Sequence, residues 1–240
     1  AEDSGIAVTD LQTMATESEF IAGVNAKYHY AGEVPDGNPA PSTAYGVFVG
    51  LKATVEYALN RNLEGVSVAI QGMGHVGYRL AKHLHEHGAK LYVADIYPEG
   101  VEKAVAEFGA TAVAPEEILS LDVDVLAPCA LGAAINDQTL PTIKAKVIAG
   151  AANNQLARED IGELLQQRGI LYAPDYVINA GGVIDIFHQR MPESSNDAMR
   201  THIEQIGDTL KEIYARAEQE KAATNRVANM IAEERFSTRG

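Results

Sequence analysis

The chain has 240 residues, 46% of them hydrophobic and 22% charged, which is enough apolar material for a sizeable core in one large domain or two small ones. A net charge of -14 excludes a nucleic-acid surface, since a phosphate backbone would be repelled, and no apolar run approaches the length of a membrane span. The single cysteine, Cys129, excludes a disulfide framework and fits a reducing, cytoplasmic compartment.

The chain opens Ala1-Glu2-Asp3-Ser4-Gly5, without a methionine, and reads as an entry into the middle of a longer protein. Residues 9 to 22 predict a short helix. Gly32, Pro35, Gly37, Asn38, Pro39 and Pro41 then crowd into residues 25 to 42, a loop and hinge signal. From Ser42 to Asn60 a long helix is expected, with Ser42 or Thr43 as its cap and Val47, Leu51 and Val55 on one stripe.

The stretch from Val66 to Asp95 is the most informative in the sequence. An apolar, β-branched run (Val66 to Ile70) enters Gly72-Met73-Gly74-His75-Val76-Gly77, and an amphipathic stretch follows to His87. A second apolar run, Leu91 to Ala94, ends on Asp95. Strand, GxGxxG, helix, strand and acid in that order make a dinucleotide-binding βαβ unit. Gly72 permits the tight turn, Gly74 lets the backbone approach a pyrophosphate, and Gly77 lets the helix pack close to the strand. The helix start aims free N–H groups at the phosphates, and Asp95 stands where a carboxylate accepts hydrogen bonds from a ribose 2′-hydroxyl. Ile96-Tyr97-Pro98 offers no arginine that would favour a 2′-phosphate in its place. Glycine clusters also mark ordinary turns, so the signal lies in the whole order rather than in the glycines.

The alternation continues beyond Asp95. A helix is expected at 99–108, a strand at 110–113, a helical turn at 115–119 and a strand at 123–127. A helical patch at 131–139, a strand at 146–149, a helix at 158–168 and a strand at 170–173 follow. Strands alternating with helices predict an α/β fold with a Rossmann-type, doubly wound parallel sheet. Beyond Ile184 the chain turns helical, through 195–219 and 224–235, after a break at Pro192-Glu193-Ser194-Ser195. The expected division is 1–38 as the end of a preceding domain plus hinge, 39–190 as the nucleotide-binding domain, and 191–240 as C-terminal helices.

Ligands in such sheets sit at the carboxyl ends of the strands. Three clusters fall there: Pro128-Cys129-Ala130-Leu131-Gly132, Gly150-Ala151-Ala152-Asn153-Asn154-Gln155 and Asn179-Ala180-Gly181-Gly182. Small residues beside amides suit a flat nicotinamide ring. Taken singly, each cluster is equally an ordinary strand-to-helix turn with an asparagine cap. Cys129 has no neighbouring histidine or lysine to activate it and reads as a small residue lining the cleft. His83 and His87 are spaced i, i+4, yet no carboxylate or HExxH frame accompanies them, so a solvated helix face is expected and no metal. The charges from Lys211 to Lys221 read as another solvated face.

These motifs together, GMGHVG with Asp95, APCALGAAIND, VIAGAANNQL and GILYAPDYVINAGGVI, resemble the cofactor domain of the glutamate/leucine/phenylalanine/valine dehydrogenases over nearly the whole chain. The resemblance implies an NAD-dependent oxidative deamination of a branched-chain, leucine-like L-amino acid. It implies cofactor contacts at Thr43, Gly72, Met73, Gly74, His75, Val76, Gly77, Asp95, Ile96, Cys129, Ala130, Ala152, Asn153 and Asn179. Thr43 holds the nicotinamide carboxamide, Asn153 bridges cofactor and substrate, and Asp3 is the catalytic proton shuttle. Ala1, Val183 and Ile186 wall the substrate side chain with apolar surface. The family's two catalytic lysines lie upstream, and none of the lysines here stands in a comparable setting. Expected partners are therefore a small amino-acid substrate and, in the full-length protein, further copies of the same subunit, with no nucleic acid and no membrane. The alternative is a non-catalytic dinucleotide-binding module or truncated fragment.

Overall fold

A computed structural model describes residues 6–24 and 36–237. Six strands run parallel: β1 (Ser67–Gln71), β2 (Lys90–Ala94), β3 (Thr111–Ala112), β4 (Val125–Pro128), β5 (Val147–Ile148) and β6 (Leu171–Tyr172). They lie in the order β3-β2-β1-β4-β5-β6, so the chain reverses its direction of travel between β1 and β4. That reversal opens a crevice at the carboxyl ends of the two central strands. The expected Rossmann-type sheet is present.

Both faces of the sheet are covered, which is why its strands read as continuous apolar runs rather than alternating ones. Val68, Ile70, Val125 and Ala127 face one core with α2 (Ala40–Leu59), α3 (His75–Glu86), α8 (Asn196–Glu220) and α9 (Thr224–Ser237). Ala69, Leu126 and Ile148 face the other, with Ile161 and Leu165 of α5 (Ile161–Gln167). The remaining helices are α1 (Val8–Ala15), α4 (Pro98–Phe108), α6 (Asp175–Ile178) and α7 (Gly181–Gln189). The apolar stripe of α8, from Met199 to Ala217, is buried along α2. Among the described residues no helix is long and apolar enough to cross a membrane.

Three local expectations fail, each for a physical reason. α2 begins at Ala40 rather than at Ser42. Asn38 accepts the Ala40 N–H at 2.8 Å and Pro41 fits the first turn, while the Thr43 hydroxyl bonds back to the Pro39 carbonyl. The patch 131–139 is not helical, because Ile135 forms a parallel bridge to Leu156 and the Asn136 side chain accepts the N–H groups of Gln138 and Thr139. Nor is the His83 and His87 face simply solvated. Both rings pack on Phe48 of α2, with centroids 5.3 and 4.6 Å away. Most of the expected hinge, residues 25–35, lies outside the described residues.

At the amino ends of the strands, Asp124 accepts both the N–H and the hydroxyl of Ser67 and pairs with Lys146 at 3.4 Å. Burial raises its carboxyl, but the Ser67 bonds and the Lys146 ammonium outweigh that and hold it below the ordinary value. A depressed folded-state value gives stability that is present above the ordinary carboxylate range and is lost as pH falls through the folded value. Asp124→Asn should therefore cost about 1–2 kcal/mol near neutral pH and much less at pH ~3. Urea midpoints at both pH values check this, and a gap of the same size at each would contradict it.

Candidate nucleotide site

The glycine loop leaves β1 at the switch point. Gly72 has φ +98°, a left-handed value, and a Cβ there would stand 2.8 Å from the Ala130 nitrogen. A Cβ on Gly77 would stand 2.0 Å from the Gly72 carbonyl oxygen. Gly74 differs: nothing lies within 4 Å of the same point, and it precedes α3 without any side-chain cap. Of the three motif glycines, Gly74 is therefore the one open to a ligand, directly before a row of unsatisfied helix N–H groups.

Asp95 leaves the tip of β2 and reaches back. Its carboxylate accepts the Met73 N–H at 2.5 Å and the Tyr97 N–H at 2.9 Å, so it is fixed against the loop while half-exposed. Met73, Gly74, His75, Asp95 and Tyr97 line one cleft of about 710 Å³, within the usual range for small-molecule sites. Val76 is half-buried beside it, while Ile96 is exposed. The sequence reading missed three cations in this cleft, Arg79, Lys82 and Lys103. The signal was available, because positions 75, 79 and 82 share one face of α3. Asp95, Glu99 and Glu107 line the same cleft, with Lys103 3.9 Å from Glu107, so charges of both signs face this space.

At the other end of the crevice, two asparagines come together. Asn179 donates to the Ala151 carbonyl at 3.1 Å and to Asn153 Oδ1 at 2.6 Å. Ala152 is buried and donates to the Pro128 carbonyl, while Ala130 is exposed. Gln155 was not singled out from sequence, yet it holds this loop: fully buried, it donates to the carbonyls of Gly150 and Ala152. Cys129 lies half-buried beside Gly77, and burial pushes its thiol up to about 12, so it stays protonated and inert as a nucleophile.

The two glycines of the Asn179–Gly182 cluster serve packing. A Cβ on Gly181 would stand 2.2 Å from the Ser42 carbonyl, and one on Gly182 would stand 2.4 Å from Thr43 Oγ1. They let α7 dock backbone to backbone on the first turn of α2, with Thr43 at the contact. Val183 is exposed and Ile186 half-buried on α7. Ala1 and Asp3 lie outside the described residues. Among the described residues no three His, Cys, Asp or Glu side chains converge on a metal position.

The family model for glutamate/leucine/phenylalanine/valine dehydrogenase matches residues 39–96 and 97–237. The chain is 46% identical to the leucine dehydrogenase of Bacillus cereus over 239 residues, 99% of this chain and 64% of that protein. It is 44% identical to the L-tryptophan dehydrogenase of Nostoc punctiforme, covering 98% of this chain and 65% of that protein. The crystal structure of L-tryptophan dehydrogenase from Nostoc punctiforme superposes with a TM-score of 0.80 at 46% identity, over 83% of this chain and 61% of that one. The chain thus spans a little under two thirds of the relatives it matches. A hetero-hexameric glutamate dehydrogenase from Thermus thermophilus, at 23% identity and a TM-score of 0.67 over 85% of this chain and 54% of that one, shares the fold. On the family match and these identities, the chain belongs to the glutamate/leucine/phenylalanine/valine dehydrogenase family.

Proposed function

We propose that this chain supplies the nucleotide-binding part of an NAD-dependent dehydrogenase that oxidatively deaminates a branched-chain L-amino acid, such as leucine, to its 2-oxo acid and ammonia. The observation that carries the nucleotide role is Asp95, a carboxylate fastened to the Met73 N–H of a loop whose Gly74 faces open space. In this proposal Gly72 to Gly77 and the start of α3 receive the pyrophosphate, and Asp95 with Ile96 receives the adenosine ribose. Thr43, Cys129, Ala130, Ala152, Asn153 and Asn179 surround the nicotinamide. Bound NAD supplies the hydride acceptor. The residues of this chain orient the ring, and Asn153 also orients the substrate.

Relatives named for leucine, tryptophan and phenylalanine are all similar to this chain. The choice of side chain therefore rests on Val183 and Ile186, which are β-branched, uncharged and spaced i, i+3 on α7. Such a wall narrows an apolar pocket and offers nothing to a side-chain carboxylate. Asp3 serves as the proton relay and Ala1 completes the wall. The carboxylate-binding and proton-transferring lysines belong to an upstream part of the whole protein, which acts as a cytoplasmic homo-oligomer.

Asp95 sets the preference for NAD over NADP, because it bonds a 2′-hydroxyl and repels a 2′-phosphate. Calorimetric titration should give tighter NAD than NADP binding, and Asp95→Ala should weaken NAD roughly ten- to hundredfold and narrow the gap. Equal or tighter NADP binding by the unaltered chain would contradict the assignment.

Turnover by the whole protein tests the reaction. Leucine, valine and isoleucine should differ by only about 1–3 kcal/mol, because a methylene in an apolar pocket is worth no more than that. Phenylalanine, tryptophan and glutamate should be slower, and preference for any of them would overturn the branched-chain assignment. The 240-residue span by itself should bind NAD and give no reduced-nicotinamide absorbance with leucine, since residues acting as a unit lose nearly all their acceleration together.

A further inference from the structure

Beneath the contact of α2 with α7 lies a buried polar cluster with no assigned role. Ser42 is 1% exposed, Asp185 4% and Gln189 8%. The Ser42 hydroxyl donates to one Asp185 oxygen. Gln189 Nε2 donates to the other at 2.9 Å and also reaches the Gly37 carbonyl at 3.3 Å. The first turn of α2 therefore meets the Asp185 carboxylate directly, and the segment that leads into α2 joins it one bond further out, through Gln189 of the same helix α7.

A carboxylate withdrawn from water is expensive, and an apolar residue of like volume would fill this space without that cost. Burial raises the Asp185 carboxyl above the ordinary value, and the Ser42 and Gln189 donors and the charge of nearby His188 offset that only in part. What the carboxyl group provides is direction, because each oxygen has its own donor: Ser42 from α2 and Gln189 one turn along α7. Ser42 immediately precedes Thr43, and a Cβ on Gly182 would stand 2.4 Å from Thr43 Oγ1. The polar clamp and the backbone contact at Gly181 hold the first turn of α2, within which the Thr43 hydroxyl donates back to the Pro39 carbonyl at 3.0 Å.

We infer that Asp185 is a positioning residue for the nicotinamide end of the cleft, holding Thr43 in place through Ser42 and holding the approach to α2 through Gln189 and Gly37. The inference rests on the proposed dinucleotide role of the site. It adds that the register of α2 against α7 is set by a buried, hydrogen-bonded carboxyl group rather than by packing alone. The adenosine end, fixed separately by Asp95 and the glycine loop, should be indifferent to it.

That asymmetry gives the test. The 240-residue chain and its Asp185→Ala variant are titrated by calorimetry with NADH and, separately, with ADP-ribose, which lacks the nicotinamide. The emission of bound NADH reports the surroundings of the ring. Affinity for NADH should fall about tenfold, or about 1.4 kcal/mol. The emission change on binding should shrink, and ADP-ribose affinity should stay within about twofold, the difference that distinguishes positioning from general destabilisation. Equal losses for both ligands, or no change in either, would overturn the positioning role. Should Asp185→Ala fail to fold, Ser42→Ala removes one donor while leaving the carboxylate, and the same split between NADH and ADP-ribose is expected of it. Unaltered chain that binds neither ligand overturns the dinucleotide reading itself, and the positioning role with it.

Discussion

Close approach of one backbone to another, through residues with no side chain, is the constraint on which this molecule depends. Helix α3 can start against the sheet only because Gly77 leaves the Gly72 carbonyl room, where a Cβ would stand 2.0 Å away. The turn after β5 crosses β4 only because Gly150 clears the Pro128 carbonyl, at 2.3 Å for the same hypothetical atom. Gly181 does the same for α7 over Ser42. Real side-chain atoms almost never sit so close, so each position admits glycine alone without movement of a neighbouring backbone. These contacts bring the crossover loops together over the switch point. Gly74 stands apart from them, open on the side where the others are packed.

On that frame the polar groups act as fasteners. Gln155 closes the turn after β5 onto itself, and its own N–H donates to Asp175 at the head of α6. Asn179 ties that turn to α6 from the other side and fixes Asn153 in the same bond network. Asp95 joins the first glycine turn to the second strand. Each fastener accepts or donates across a gap between loops that the sheet alone would leave independent. Preorganisation of this kind is what a binding site needs, since loops ordered beforehand spare the cost of ordering them on association.

Much of this was legible in the sequence, and the failures share a cause. The order from Val66 to Asp95 specified strand, turn, helix and acid through local chemistry alone, and the structure follows it residue for residue within ordinary end effects. Ser42 was misread because its hydroxyl, a good cap by propensity, is committed to Asp185, 143 positions away. Residues 131–139 have helical composition, yet Ile135 is recruited as a bridge to Leu156. His83 and His87 face Phe48 from another helix. Each of these positions has a partner distant in sequence, alongside local bonds such as those of Asn38 to Ala40 and Asn136 to Gln138, and no single-sequence pattern reports the distant partner. The roles of glycines were ambiguous for the same reason: sequence gives their spacing and not what stands opposite.

Alanine at Gly74 and at Gly77 measures that division of labour most directly. At Gly74 the backbone has φ -73° and the space is open, so alanine should leave thermal stability within about 0.5 kcal/mol while NAD affinity falls steeply. At Gly77 alanine should cost about 1–3 kcal/mol of stability before any ligand is added. A Gly74→Ala chain that binds NAD as tightly as the unaltered one would contradict the account, because the open glycine of this loop would then be open to nothing.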